Sequence, residues 1–173
     1  MTDVDQPADR TDALAPPGTT APVEVVRLAP ADVDDALLAG LGALVRQLSR
    51  SAPEPTRAEV EAMTASSATQ VLVARTADGA LLGTLTLVVF RIPTGVRAWV
   101  EDVVVDEAAR GRGVAQALVV DALERARRAG ARTVDLTSRP SREAANRLYR
   151  RVGFELRETN VYRFTHEAGP AGA

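Results

Sequence analysis

Hydrophobic positions recur along the chain with two different periods, and the changes of period divide it into elements. Val23 to Leu28 is a short β-rich run and predicts a first strand. Beyond Pro30, the residues Val33, Leu37, Leu41, Leu44 and Leu48 fall close to helical spacing, so a helix is expected to open at the proline. A loop from Ser51 to Pro55 precedes a second helix, Thr56 to Thr64, in which Thr56 and Glu59 have the spacing of a capping box. Val71, Leu72 and Val73 then form a strand, and Ala77-Asp78-Gly79 is a hairpin turn signal. The next strand is Leu81 to Ile92; Pro93-Thr94-Gly95 turns the chain into a fourth, Val96 to Val105.

After Asp106 the period lengthens. From Gly111 to Ala129, Val114, Leu118, Ala122 and Leu123 mark one helical face, and Gly130 stops the helix. The short strand Thr133 to Leu136 is reached through that helix and should therefore lie parallel to the fourth strand. Arg142 to Arg151 reads as another helix, ended by Gly153. Phe154 to Leu156 and Val161 to Thr165 are expected to form a closing hairpin. The order β-α-α-β-β-β-α-β-α-β-β is an α+β arrangement: an antiparallel meander joined to one β-α-β crossover.

Composition narrows what such a fold could do. A chain of 173 residues, 46% of them hydrophobic, suits one core and one domain. Residues 1–22 hold four prolines and no aromatic, and 168–173 are Ala-Gly-Pro-Ala-Gly-Ala; both are expected to be flexible tails around a domain spanning 23–167. A net charge of −2 and an aromatic fraction of 3% give little for phosphates or stacked bases to bind, against a nucleic-acid partner. There is no cysteine and only one histidine, His166, so no metal site is expected. Every basic residue is Arg, which excludes a Walker-type phosphate loop and a Schiff-base lysine. Met1 to Arg10 lacks a basic-then-apolar pattern, and Ala80 to Phe90 is too short to span a bilayer; a cytoplasmic protein without membrane partners is expected.

The informative stretch runs from Glu101 to Ala115. A β-branched strand enters a turn holding Arg110, Gly111, Arg112 and Gly113, and the turn enters a helix. Helix starts expose unpaired N–H groups and the positive end of the helix dipole, and arginines add charge, so the junction suits an anion. A glycine-softened loop with solvated arginines is the plainer alternative. A dinucleotide fingerprint fits less well: Gln116 stands where its third glycine belongs, although Asp135 lies at a suitable distance for a ribose contact.

Arg110-x-x-Gly113-x-Ala115, following an apolar strand and entering an amphipathic helix, resembles the acetyl-CoA signature of the GNAT acyltransferase superfamily. A second block agrees: Ser141 to Phe154, with Asn146 and Tyr149 three residues apart and Gly153-Phe154 at its end. The resemblance covers Val23 to Thr165. It implies a GNAT-like mixed sheet whose fourth and fifth strands splay apart around the pantetheine arm of acetyl-CoA. The pyrophosphate would sit on the N–H groups of Arg110, Gly111, Arg112, Gly113, Val114 and Ala115. Main-chain groups of Val103 and Val105, with Val104 between them, would hold the pantetheine, and Asn146 would add a coenzyme contact. An N–H near Val103 would polarise the thioester carbonyl.

Expelling coenzyme A as a bare thiolate is costly, so a nearby proton donor helps. A tyrosine with pKa near ~10 can protonate a thiolate whose conjugate acid lies near ~8.5. The resemblance gives that role to Tyr149; the alternative is a half-buried packing residue beside Leu148 and Phe154. The acceptor is expected to be an amine, a small molecule rather than a protein, which must lose a proton before attack. Glu101 and Asp102 are adjacent on the fourth strand and should face opposite sides of the sheet unless a bulge intervenes. Glu101 is the expected base, with ordered water as the alternative. The function implied is N-acetyl transfer by direct attack, with a non-catalytic acyl-CoA-binding module of the same fold as the alternative and a homodimer as a possible assembly.

Overall fold

The computed structural model describes residues 23–49 and 51–166. The two expected tails therefore lie outside the described residues, except that the expected domain boundary falls beside the last of them. Five strands form one sheet in sequence order, β1 (Glu24–Arg27), β2 (Thr69–Arg75), β3 (Leu81–Ile92), β4 (Gly95–Val105) and β5 (Val134–Leu136). The first four pair antiparallel, and β5 joins β4 in parallel through the crossover helix. Four helices accompany them: α1 (Asp35–Leu48), α2 (Arg57–Ala65), α3 (Val114–Arg128) and α4 (Glu143–Arg151).

Alternation along the strands divides the apolar residues between two cores. On β2, Leu72 and Ala74 join Leu85, Leu87, Ala98 and Val100 beneath α3, whose Val114, Leu118, Val119, Ala122 and Ala126 are buried. Val71 and Val73 face the other way and pack with Leu28, Val33, Leu41 and Val60 of the α1–α2 layer. The sheet is thus covered on both faces. Leu118 has no exposed surface, and truncating it to Ala should cost about 2–5 kcal/mol.

Local chemistry sets the helix starts. Pro30 opens a single 3-10 turn, Pro30–Asp32, rather than the long helix; α1 begins after Asp34, whose carboxylate accepts from the Leu37 N–H at 2.7 Å. The reason is that Asp34 offers a side-chain acceptor to the first turn of the helix and Pro30 offers none. The Thr56–Glu59 capping box is present at α2. The helix expected from Gly111 begins instead at Val114, because Gly111 and Gly113 both take positive φ, +75° and +78°, which an α-helix cannot contain.

Two departures from the sequence pattern matter for function. First, β4 carries a bulge: Thr86 pairs with Glu101 and Thr84 with Val104, so Asp102 and Val103 together oppose Leu85. Asp102 absorbs the extra residue with φ +50°, a left-handed conformation that Asp adopts more readily than most residues. Beside the bulge, Gly83 lets β3 approach closely; a Cβ there would lie 2.7 Å from the Val104 carbonyl oxygen. Second, the expected closing hairpin does not form. The described residues after Gly153 carry no strand, and Leu156, Val161, Tyr162 and Phe164 stand exposed. A two-stranded hairpin is marginal alone, and the intervening Arg157, Glu158, Thr159 and Asn160 offer it no apolar face.

Candidate active site

The parallel pairing of β4 with β5 is short. Ala98, Trp99 and Val100 match Val134, Asp135 and Leu136, after which β5 ends while β4 continues to Val105. Beyond Val100 and Leu136 the two strands are no longer paired, and an opening begins there. The bulge lies on its β4 side. Main-chain groups of Asp102 to Val105 are therefore offered along it, with Val104 buried and Val103 and Val105 half-buried. This is the stretch in which Val103, Val104 and Val105 were expected to act.

At the end of β4 the chain makes a 3-10 turn, Glu107–Ala109, and reaches the glycine turn. Asp106 organises this segment. One of its carboxylate oxygens accepts from the Ala108 N–H at 2.9 Å and the other from the Gln47 side chain at 2.9 Å. These hydrogen bonds, the Gln47 bond foremost, and the charge of Arg110 hold the Asp106 carboxyl below its usual range.

The start of α3 differs from those of α1 and α2. Gly113 is its N-cap, no side chain caps it, and no acidic residue stands in its first turn. The N–H groups of that turn and the positive end of the dipole consequently meet no carboxylate of their own helix. Arg110 and Arg112 are exposed on either side of Gly111; Arg110 reaches Glu107 at 3.2 Å. Arg110, Gly111, Arg112, Gly113, Val114 and Ala115 are thus brought together in one turn whose N–H groups and charge suit an anion. The glycines serve it by conformation, since a Cβ at Gly111 or Gly113 would meet no atom within 4 Å yet would sit at positive φ.

The two titratable residues expected to act in catalysis belong to opposite sides of the sheet. Glu101 pairs with Thr86, on the side opposite Val100, which belongs to the α3 core; Glu101 therefore lies on the α1–α2 side. It is exposed, and its carboxylate accepts from the Trp99 indole N–H at 2.7 Å. Tyr149 is half-buried against the α3 core, edge-on to Phe154 with ring centroids 5.8 Å apart. Burial pushes its phenol above the ordinary tyrosine pKa, with Arg142 opposing weakly, so the hydroxyl keeps its proton at neutral pH. The bulge also brings Asp102 to the surface beside Glu101, instead of burying it in the opposite face.

Asn146 makes hydrogen bonds within the protein. Its side-chain nitrogen donates to the carbonyls of Arg139 at 3.0 Å and Pro140 at 3.4 Å, bracing the loop that leaves β5 against α4. That loop contains Ser138, whose hydroxyl is buried without a hydrogen-bond partner in the protein. Leaving a buried hydroxyl without a partner costs about 1–3 kcal/mol, a cost that a water or a bound molecule's polar group would relieve. Ser138, Gln47 and Trp99 as a hydrogen-bond donor were not singled out by the sequence. A lone serine after a strand and a glutamine on a helix carry no local signal.

A cavity of about 570 Å³ lies apart from this opening, among Leu28, Leu37, Gly40, Val73 and Leu81. Its carboxylates are occupied structurally: Asp32 accepts from the Ala29 N–H, Asp34 caps α1, and Asp78 bonds Thr76. Among the described residues no helix is long and apolar enough to cross a membrane.

Comparisons with known proteins agree with this geometry. Residues 41–154 match the Acetyltransferase (GNAT) family. A putative acetyltransferase from Agrobacterium tumefaciens str. C58 is 30% identical, with 82% of this chain and 99% of that one covered and a TM-score of 0.70. An acetyltransferase from Trypanosoma brucei shares the fold at 24% identity, covering 83% of this chain and 100% of its own with a TM-score of 0.67. So does an aminoglycoside acetyltransferase from an uncultured soil metagenomic sample, solved with sisomicin, at 17% identity, 84% and 96% coverage and a TM-score of 0.72. No curated protein sequence matches the chain. With a family match extending over β2 to β5, the glycine turn and α4, the chain belongs to the GNAT family of acetyltransferases.

Proposed function

We propose that this protein moves an acetyl group from acetyl-CoA to the primary amine of a cationic small molecule, by direct attack and without an acyl-enzyme. The observation that carries the reading is the uncapped, acid-free start of α3 at the end of a bulged strand that borders an opening in the sheet. The residues present suit the coenzyme: N–H groups of Arg110 to Ala115 for its pyrophosphate, main-chain groups of Val103 to Val105 along its arm, and the orphaned Ser138 hydroxyl across the opening. Acetyl-CoA supplies an acyl group already activated as a thioester.

The protein's own residues then handle charge and protons. A main-chain N–H at the bulge polarises the thioester carbonyl. On the α1–α2 side, Glu101, held in place by the Trp99 indole, takes a proton from the acceptor's ammonium, and the resulting neutral amine attacks the thioester. On the other side Tyr149 donates its proton to the departing sulfur. Glu101 and Asp102, exposed next to one another, favour an acceptor that arrives as a cation. Aminoglycoside acetyltransferases of the same fold act on molecules of that chemical kind, which supports the choice of a small cationic acceptor.

Calorimetric titration with acetyl-CoA, with NAD as control, tests the coenzyme, and thiol release across a panel of polyamines and aminoglycosides tests transfer. Acetyl-CoA binding with NAD silent, followed by acceptor-dependent thiol release, is the expected result. Binding without release for any amine would leave an acyl-CoA-binding module, and no binding by folded protein would remove the reading.

A further inference from the structure

An apolar strip on the α1–α2 side of the sheet belongs to neither core. Val71, which packs in the α1–α2 layer, pairs with Thr86, so alternation puts Val88, Phe90 and Ile92 on that same side of β3. Trp99 of β4 pairs with Val88 and stands there too. None of these four side chains is taken up by either hydrophobic core, and Phe90 and Ile92 are 38% and 39% exposed.

The strip begins at Glu101. Trp99 and Glu101 share one face of β4, a step of ~7 Å apart, and the indole N–H donates to the carboxylate at 2.7 Å, which turns that edge of the ring toward it. The surface next to Glu101 on its own face is therefore aromatic, continued by Val88 directly opposite Trp99 and by Phe90 on the diagonal. At the far end stands Arg97, paired with Phe90, its guanidinium donating to the Thr133 hydroxyl at 2.8 Å. Along β4 the order is thus carboxylate, ring, guanidinium. A positive charge beyond Trp99 opposes a second cation there, so the place suits an amine with one charge and an apolar body.

We infer that the acceptor is a primary amine carrying an aryl or branched alkyl body on a short spacer, and that Trp99, Val88 and Phe90 select it. The inference rests on the acyl-transfer reading and narrows its acceptor. The ammonium sits at Glu101, where the edge of the indole already holds the carboxylate, and the ring face adds a cation–π attraction. The body lies on the strip and takes apolar surface from water on both partners. A polyamine offers the strip less apolar surface and brings a second charge toward Arg97.

Trp99 is the one tryptophan of the chain, so tryptophan emission reports this strip alone. Phenethylamine titrated into the full chain should shift that emission saturably, with a Kd about tenfold or more below that of putrescine. In thiol release with acetyl-CoA, kcat/KM should favour phenethylamine over putrescine by a similar factor. Phe90→Ser, at an exposed position, should keep the wild-type circular dichroism and lower that ratio several-fold. Emission that neither amine moves, or that putrescine moves at equal or lower concentration, would overturn the inference, as would a ratio that Phe90→Ser leaves unchanged. Release to putrescine at equal or higher kcat/KM would overturn it too, and would leave the acyl-transfer reading standing. Release to no amine would remove the acyl-transfer reading, and the acceptor class with it.

Discussion

Gln47 of α1 and Asp106 at the end of β4, 59 positions apart, hold each other at the turn that leads from β4 to α3. The Gln47 amide donates to the Asp106 carboxylate at 2.9 Å, and its carbonyl oxygen accepts from the Glu107 N–H at 3.0 Å. One side chain thereby fixes both the last residue of the strand side and the first of the turn that leads to Gly113. Because the Gln47 bond is the largest cause of the lowered Asp106 pKa, Gln47→Ala should raise that pKa, read from the carboxylate NMR titration. A carboxyl lowered by folding contributes stability above its unfolded pKa of about 3.9 and loses it as pH falls through the folded value. Acetyl-CoA affinity should therefore be level from neutral pH down to that range in the wild type and several-fold weaker in the variant. An unmoved Asp106 titration would show the clamp to be absent in solution.

The left-handed N-cap predicts a second effect. Gly113→Val forces a β-branched residue to φ +78° at the point where the turn enters α3. Coenzyme binding should drop by tenfold or more, while Ala108→Val, on the exposed side of the 3-10 turn, should change it little. Equal affinity in wild type and Gly113→Val would place the phosphates elsewhere.

Ser138 separates a binding role from a packing role. Its hydroxyl is buried and unpartnered, so Ser138→Ala should leave the denaturation midpoint unchanged or raise stability by about 1 kcal/mol. The same change should weaken coenzyme A binding several-fold. A destabilised variant that binds as well as the wild type would give the hydroxyl a structural partner instead.

Tyr149→Phe should lower kcat by about 10²–10⁴-fold with little change in acetyl-CoA affinity. Burial raises the phenol pKa, so the proton-bearing form persists through neutral pH and is lost only above the ordinary tyrosine value near ~10. The wild-type kcat should fall on that alkaline limb, and the limb should be missing from the variant. A variant with unaltered turnover would remove the acid role.

The Trp99–Glu101 hydrogen bond allows the base to be tested twice. Glu101→Gln should reduce kcat/KM for the amine by tenfold or more. Trp99→Phe keeps the ring and deletes the donor that holds the carboxylate at 2.7 Å, so it should lower the same kcat/KM by a smaller factor. Identical kcat/KM for wild type and Trp99→Phe would leave the indole as packing alone.

Most elements were legible because their causes are short-range. The Thr56–Glu59 box, the stop at Gly130 and the alternation that buries Leu72 against Leu85 all depend on neighbours a few residues away or on simple periodicity. The glycine turn and the Asn146–Tyr149 block likewise pointed to the family without any tertiary contact. The exceptions show where local reasoning stops. Pro30 and Asp34 both resemble helix starts, and only the hydrogen bond to Leu37 distinguishes them.

The sequence by itself determined the order of the five strands and four helices up to Arg151, and which of their faces are apolar. Tertiary structure alone decided the register slip that sets Asp102 and Val103 against Leu85, the side of the sheet on which Glu101 stands, the Gln47 clamp and the burial of the Ser138 hydroxyl. It also left Val161 to Phe164, with every mark of a strand, unpaired in the single chain. The physical reason is common to all of these. Periodicity states that a side chain needs cover or that a backbone needs a partner, but the partner is chosen by long-range pairing, which no stretch of sequence contains.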